Sequence, residues 1–314
     1  MTAYLGFDTS NYTTSAALFF PAENRIVQAK QLLPVKAGER GLRQSDCVFH
    51  HTAALPEMTA RIFREEQAEL AAVCASVTPR RAEGSYMPCF LVGAGAAKIT
   101  AQTHGIPFYD TSHQQGHIAA ALFGSGRLDL LTERFLAFHV SGGTTEALLV
   151  EPDETDLFRC TLVASSLDLK AGQAIDRTGV MLGLQFPCGK ELDALSLNSE
   201  REFSVRAAMK GADCSLSGVE NQCKAMFERG EPPCDIAKFC LESVGAALEA
   251  MTRALLSRFG DLPLLFAGGV MSNTILRERL KTRFGAVFAE PQYSADNAAG
   301  VALIGYYKHL REIT

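Results

Sequence analysis

The chain opens on an apolar run, YLGF, that breaks at DTSNYTT and resumes as SAALFF. An apolar strand, a small polar turn and a second apolar strand predict a β-hairpin. The pattern returns as FLAFHVSGGTTEALL at 135–149. At one offset of 131 residues, Leu5, Phe7, Ser10, Thr13, Thr14, Ala16 and Leu18 meet identical residues, from Leu136 to Leu149. An ungapped match of this kind predicts a duplication, with two lobes of similar build.

Between and after the hairpins, apolar runs predict strands at 26–31, 71–77, 106–110, 158–166, 263–270 and 286–291. Helical periodicity predicts helices at 51–66, 91–104, 113–124, 170–184, 216–229, 234–259, 273–284 and 296–312. Strands alternating with helices indicate α/β lobes whose sheets are covered by helices. Gly, Ser and charge interrupt the pattern at GSGRLDLLT, which places the boundary near 125–133. The expected lobes are 1–130 and 131–296, with the last helix, 297–314, packing back on the first.

Composition narrows the class. The 314 residues are 47% hydrophobic, with net charge −5 and pI near 5.8. That fits a soluble globular enzyme and lacks the basic balance of a self-sufficient nucleic-acid binder. The start, MTAYLGFDTS, shows no signal peptide, and no segment has the apolar length to cross a bilayer. Nine cysteines, an odd number without a CxxC pair, read as reduced thiols in a cytoplasmic protein.

Several segments carry candidate chemistry. His113 and His117 in HQQGH lie at i and i+4, one turn apart on one helix face, which suits two ligands of one ion. Two histidines with a distant aspartate suit Fe(II) or Zn(II). In SGGTTE, Gly142 and Gly143 free backbone N–H groups to approach an anion, and Ser141 and Thr144 add hydroxyls. Asp8 stands at the matching turn of the first copy. Asp176 sits on an amphipathic helix, FPCG breaks that helix, and Asp193 begins the next helical run. Carboxylates there suit ribose hydroxyls; an ordinary solvated helix face is the bland alternative. AGGVMSN (267–273) follows a strand and opens a helix, so Asn273 can meet a base or sugar. Asp296 heads the last helix, where an N-cap is the simpler role. His139 precedes SGG in an apolar strand; His50, His51, His104 and His309 read as surface or core.

Taken together, GFDTSNYTTSAAL, HQQGH, VSGGTTEALL, Asp176…Gly189…Asp193, AGGVMSN and ADNAAG occur in the order of a known family. The chain resembles the tRNA threonylcarbamoyladenosine synthases, the TsaD-like proteins formerly classed as O-sialoglycoprotein endopeptidases. The resemblance implies a two-lobed duplicated α/β fold of the actin, hexokinase and Hsp70 (ASKHA) superfamily, with the active site in the cleft. It implies one divalent metal ion, Fe2+ or Zn2+, held by His113, His117 and Asp296. Nucleotide-substrate contacts map to His139, Val140, Ser141, Gly142, Gly143, Asp176, Gly189, Asp193 and Asn273, with Asp8 and Thr144 as additional candidates. The implied reaction moves a threonylcarbamoyl group from threonylcarbamoyl-AMP, an ATP/AMP-type nucleotide, to N6 of adenosine 37 in tRNA. The implied partners are tRNA, reached through partner proteins, and a second copy or a related family member; no membrane is expected.

The chain also departs from the family. Thr144 and Glu146 replace a usual His and Gln, PCG replaces PGG, and Glu220 in SLSGVE stands where a lysine is usual. The YGGVVPE-like and TGPGSFTGLR-like segments are not recognisable. These changes concern the acceptor more than the adenylate, and leave open a diverged paralogue. Two further classes stay open: a kinase of the same superfamily, in which Asp8 serves metal-bound phosphates, and a non-catalytic scaffold partner. Peptidase activity is discounted, because HxxxH lacks the glutamate of HExxH.

Overall fold

The computed structural model describes residues 1–10, 12–34, 42–294 and 298–313. The chain divides into two units, Met1–Glu133 with Glu151–Cys160 and Gln292–Thr314, and Arg134–Val150 with Thr161–Pro291.

The first unit is built on a five-stranded sheet of β1 (Thr2–Ser10), β2 (Thr13–Phe20), β3 (Arg25–Leu32), β4 (Glu69–Thr78) and β5 (Phe108–Ser112). The order is β3-β2-β1-β4-β5, antiparallel through the first three strands and parallel from β1 outward. Strand side chains alternate between faces. Ala3, Leu5 and Phe7 of β1 therefore share a core with Leu55, Met58 and Ile62 of α1 (Gln44–Glu65) and Ala97 and Ala101 of α2 (Phe90–His104). The even positions face α3 (His113–Gly124) and α9 (Ala299–Ile313). A Cβ on Gly6 would lie 2.4 Å from the backbone nitrogen of Ala302, and the Tyr4 ring packs edge-on against Tyr306. With both faces covered, β1 and β2 read as continuous apolar runs.

The second unit repeats this plan with β6 (Phe135–Val140), β7 (Thr145–Asp153) and β8 (Leu157–Ser165). A small hairpin of β9 (Ala208–Lys210) and β10 (Asp213–Ser215) follows, then β11 (Leu264–Ala267) and β12 (Val287–Phe288). The main sheet runs β12-β11-β6-β7-β8. Its helices are α4 (Ala171–Met181), α5 (Gly189–Ser196), α6 (Ser217–Glu228), α7 (Pro233–Phe259) and α8 (Thr274–Phe284). The duplication extends to the pairing register. Leu5 faces Leu18 and Phe7 faces Ala16; at the same offset Leu136 faces Leu149 and Phe138 faces Ala147.

Some boundaries differ from those the pattern predicts. The strand expected over 263–270 stops at Ala267. Gly268 takes φ +101°, and a Cβ there would lie 2.3 Å from the Val140 carbonyl oxygen, so the chain turns away into a short 3-10 helix. The helix expected from 51 starts at Gln44. Asp193 does not begin a helix: α5 starts at Gly189, directly after Pro187-Cys188, so Asp193 lies in its middle. Asp296 lies outside the described residues.

Candidate active site

In the second unit the turn between β6 and β7 is closed by its own residues. The Ser141 N–H donates to the Thr144 carbonyl at 2.7 Å, and the Thr144 N–H donates to Ser141 Oγ at 3.1 Å. Helix α4 starts hard against this turn. A Cβ on Gly172 would lie 2.7 Å from both Cα and N of Gly142, and the Gly172 N–H reaches the Ser141 carbonyl at 3.2 Å. The positive end of the α4 dipole thus adjoins the glycine turn, an arrangement suited to an anion. Gly142 and Gly143 are not required by crowding: a Cβ on either would meet no atom within 4 Å. Their lack of a side chain leaves open space.

Helix α5 is fixed to α4 in the same economical way. A Cβ on Gly179 would lie 2.2 Å from that of Cys188, and the Cys188 N–H donates to Asp176 Oδ1 at 2.8 Å. Asp193 ties α5 to α8, accepting from the Thr274 N–H at 3.0 Å and the Thr274 hydroxyl at 2.9 Å. Asn273 caps α8: its Oδ1 accepts from the Leu276 N–H at 3.0 Å. The Asn273 Nδ2 is buried and has no hydrogen-bond partner among the described residues. Buried polar atoms are almost always paired, so this donor calls for an explanation.

These elements enclose a cavity of about 580 Å³, with Gly142, Asp176, Gly189, Asp193 and Asn273 on its wall. The size suits a nucleotide-scale ligand. Five predicted residues therefore meet in one place. Val140 is fully buried in β6, and His139, Ser141 and Gly143 are not on the cavity wall. His139 pairs across the sheet with Glu146. Pattern reading missed Gly172, Lys190 and Ser272, which also line the cavity. Gly172 could have been found as the glycine of a helix entrance and Ser272 as part of AGGVMSN; Lys190 carries no signal in the sequence. Burial first, then the Asp176 and Glu191 carboxylates, pushes the Cys188 thiol above its ordinary value. It stays a neutral thiol and not a nucleophile. Glu220, one of the departures, forms an ion pair with Arg177 of α4 at 3.0 Å on the surface.

The histidine pair lies in the first unit. Ser112 caps α3 and Gln115 completes a capping box, which fixes His113 as the first helical residue. The Nε2 atoms of His113 and His117 are 2.9 Å apart, and His113 Nδ1 lies 2.7 Å from Asp8 Oδ2. At metal–nitrogen distances of about 2.1 Å, two cis ligands of an octahedral ion would be roughly 3.0 Å apart. The convergent Nε2 atoms thus fit a shared divalent ion. Among the described residues no third His, Cys, Asp or Glu completes such a group. The start of α9, just after the predicted ligand Asp296, packs on α3 between the two histidines. A Cβ on Gly300 would lie 1.9 Å from the Gly116 carbonyl oxygen. His51 is a core residue: its Nδ1 meets the Thr14 hydroxyl at 2.7 Å, and burial lowers it below the ordinary histidine value.

Solved structures share the fold. Component A of the (R)-2-hydroxyglutaryl-CoA dehydratase of Acidaminococcus fermentans aligns with TM-score 0.55 at 17% identity, over 99% of this chain and 100% of that one. A ROK family glucokinase from Streptomyces griseus aligns at 0.53 and 12%, over 97% and 98%. HypF from T. kodakarensis aligns at 0.59 and 11%, over 99% of this chain and 48% of that one. The class is therefore a duplicated α/β fold, shared with these proteins. Sequence carries the assignment further. The family described as tRNA N6-adenosine threonylcarbamoyltransferase (TsaD) matches residues 37–303. A protein of that name from Thermus thermophilus is 33% identical over 98% of this chain and 93% of its own. That from Archaeoglobus fulgidus is 26% identical over 86% and 82%. The chain belongs to the TsaD family and is an acyltransferase. Among the described residues no helix is long and apolar enough to cross a membrane.

Proposed function

We propose that the protein moves a threonylcarbamoyl group from threonylcarbamoyl-AMP to N6 of adenosine 37 in tRNA, and that the cavity of the second unit holds the adenylate. The observation that carries this reading is the unspent Asn273 Nδ2 donor on a cavity wall that also holds Asp176 and Asp193. A purine nitrogen or a ribose hydroxyl would satisfy that donor. Asp176 has one oxygen occupied by the Cys188 N–H, which leaves the other for a ribose hydroxyl. The α4 entrance beside Gly142 suits the phosphate. In the transfer, the N6 amine attacks the acyl carbon, the bond to the phosphate oxygen breaks, AMP departs, and N6 loses a proton. Holding the adenylate in one pose supplies much of the rate through orientation.

His113 and His117 would hold the divalent ion, with Asp296 as the expected third ligand. Such an ion supplies Lewis-acid polarisation and a template for anionic groups. The kinase reading needs Asp8 free for metal-bound phosphates. Asp8 is 1% exposed and accepts from Ser10, Ser76 and His113, which weighs against it. With a net charge of −5, contact with tRNA requires a local basic patch or a partner, either a second copy or a related family member.

Calorimetric titration with AMP tests the adenylate site. Asn273→Asp keeps the helix cap but replaces the unspent donor with an acceptor. We expect AMP affinity to fall about 10-fold or more, at the scale of a lost buried hydrogen bond. Unchanged AMP affinity would remove the observation on which the reading rests.

A further inference from the structure

We infer that Asp8 is the positioning residue of the histidine pair. It holds His113 through Nδ1 so that the Nε2 lone pair is presented, together with that of His117, to a divalent cation. The inference rests on the metal reading above and gives Asp8 a role that its place near the end of β1 does not reveal.

Asp8 lies in the buried C-terminal part of β1 and is 1% exposed. A carboxylate is expensive to bury unless its lone pairs are satisfied. Here they are satisfied in a definite division. Oδ1 accepts from the Ser10 N–H at 3.1 Å and from the Ser76 hydroxyl at 2.7 Å. Oδ2 is left for the His113 ring at 2.7 Å. An ionised carboxylate can only accept, so His113 must carry a proton on Nδ1. In the neutral ring, the remaining nitrogen, Nε2, then holds the lone pair. That nitrogen is the one 2.9 Å from His117 Nε2. A carboxylate on one nitrogen and a convergent second histidine on the other form the outer-sphere arrangement that orients metal-binding imidazoles.

The support behind Asp8 is rigid. Ser10 is two residues along the same chain, and Ser76 belongs to β4, the strand paired beside β1. Opposite them, the backbone of His113 is held by the Ser112–Gln115 capping box. The Gln115 amide also donates to the Phe158 carbonyl at 2.8 Å. The Phe90 ring lies against the imidazole, with centroids 6.2 Å apart. The ring is held on one side by Asp8 and on another by Phe90.

Asp8→Asn tests the role. The amide oxygen can still accept from Ser10 and Ser76, but the amide nitrogen then donates toward His113 Nδ1. The proton is displaced to Nε2, and the ligand atom is blocked. Metal-stripped wild type, Asp8→Asn and His113→Ala would be titrated with Zn2+ by calorimetry. Each would also be loaded with Co2+ and its visible spectrum recorded. We expect Asp8→Asn to melt as a folded protein, bind Zn2+ about 10- to 100-fold more weakly than wild type and give an altered Co2+ spectrum. Zn2+ affinity and a Co2+ spectrum equal to wild type would overturn the role of Asp8 and leave the metal reading standing. Wild type that binds neither ion would remove both. Nitrogen-detected NMR of the wild-type histidines reads the tautomer without any variant. Proton attachment at Nδ1 of His113 is expected, and a neutral Nε2–H ring would overturn the inference even if Asp8→Asn does not fold.

Discussion

The contact of α3 with α9 gives a prediction that can be worked from distances. Replacing Gly300 with alanine places a Cβ 1.9 Å from the Gly116 carbonyl oxygen, 2.6 Å from the Ala120 nitrogen and 2.9 Å from the Gly116 carbonyl carbon. All three atoms are backbone, so no flexible side chain can yield. A carbon and a carbonyl oxygen in close contact sit about 3.3 Å apart, so the helices must separate by more than an ångström locally. Overpacking of this kind costs roughly 1–3 kcal/mol or more. The gain in helix propensity on replacing glycine offsets at most about 1 kcal/mol. The net loss is on the order of 2 kcal/mol, which lowers the thermal midpoint by roughly 4–8 °C in a unit of this size. Gly95 in α2 is the internal control, because a Cβ there meets no atom within 4 Å. Gly95→Ala is expected to leave the midpoint unchanged or raise it. Differential scanning calorimetry of both variants decides the matter. A midpoint for Gly300→Ala at or above wild type would refute the close approach of α9 to α3. It would also remove the structural reason for placing the start of α9 beside the histidine pair.

Two further outcomes follow from charge and burial. Glu249 of α7 is 3% exposed and is paired with Arg253, Arg283 and, at 2.7 Å, Arg279. Burial opposes its ionisation, but the arginines, Arg279 foremost, outweigh burial and hold its folded value below the ordinary 4.5. Stability from this group is present above the unfolded value and is lost as pH falls through the lower folded value. Urea midpoints should therefore fall on acidification below about pH 4.5. In Glu249→Gln that acid-sensitive part should be missing, with a loss on the order of 3 kcal/mol at pH 7; a wild-type pH profile for the variant would contradict this. Burial pushes Cys74 and Cys89 up to about 12 and Cys214 up to about 11. Iodoacetamide at pH 8 should label these three only after unfolding, as read by peptide mass spectrometry; prompt native labelling of Cys74 would be the adverse result.

Much of the architecture is legible in the chain because it is written twice. The match of Leu5, Phe7, Ala16 and Leu18 to Leu136, Phe138, Ala147 and Leu149 predicts a duplicated hairpin, and the two hairpins share one register. The cavity is legible only in part. Asp176, Asp193 and Asn273 stand at helix entrances and faces where a reader looks for ligands. Lys190 and Ser272 also lie at helix entrances, beside Gly189 and Asn273, but nothing in their side chains singles them out as ligand contacts. Asp8 could be flagged as a carboxylate in an apolar strand just before a turn, but its partner His113 is 105 residues away. Only the parallel pairing of β1, β4 and β5 brings the two together. Element ends depart from the pattern where local geometry decides them, as at Gly268 against Val140 and at Gly189 after the proline.

The central claim is acyl transfer from an adenylate bound in the second unit. Its most direct test is nucleoside mass spectrometry of unmodified tRNA incubated with threonylcarbamoyl-AMP in an extract of cells lacking this protein, to which wild type or Asp193→Ala is added. We expect N6-threonylcarbamoyladenosine to form with wild type and to fall at least 10-fold with Asp193→Ala, since loss of the carboxylate both frees the start of α8 and removes a contact in the cavity. No product with wild type, in an extract where the Thermus thermophilus relative does form it, would contradict the account.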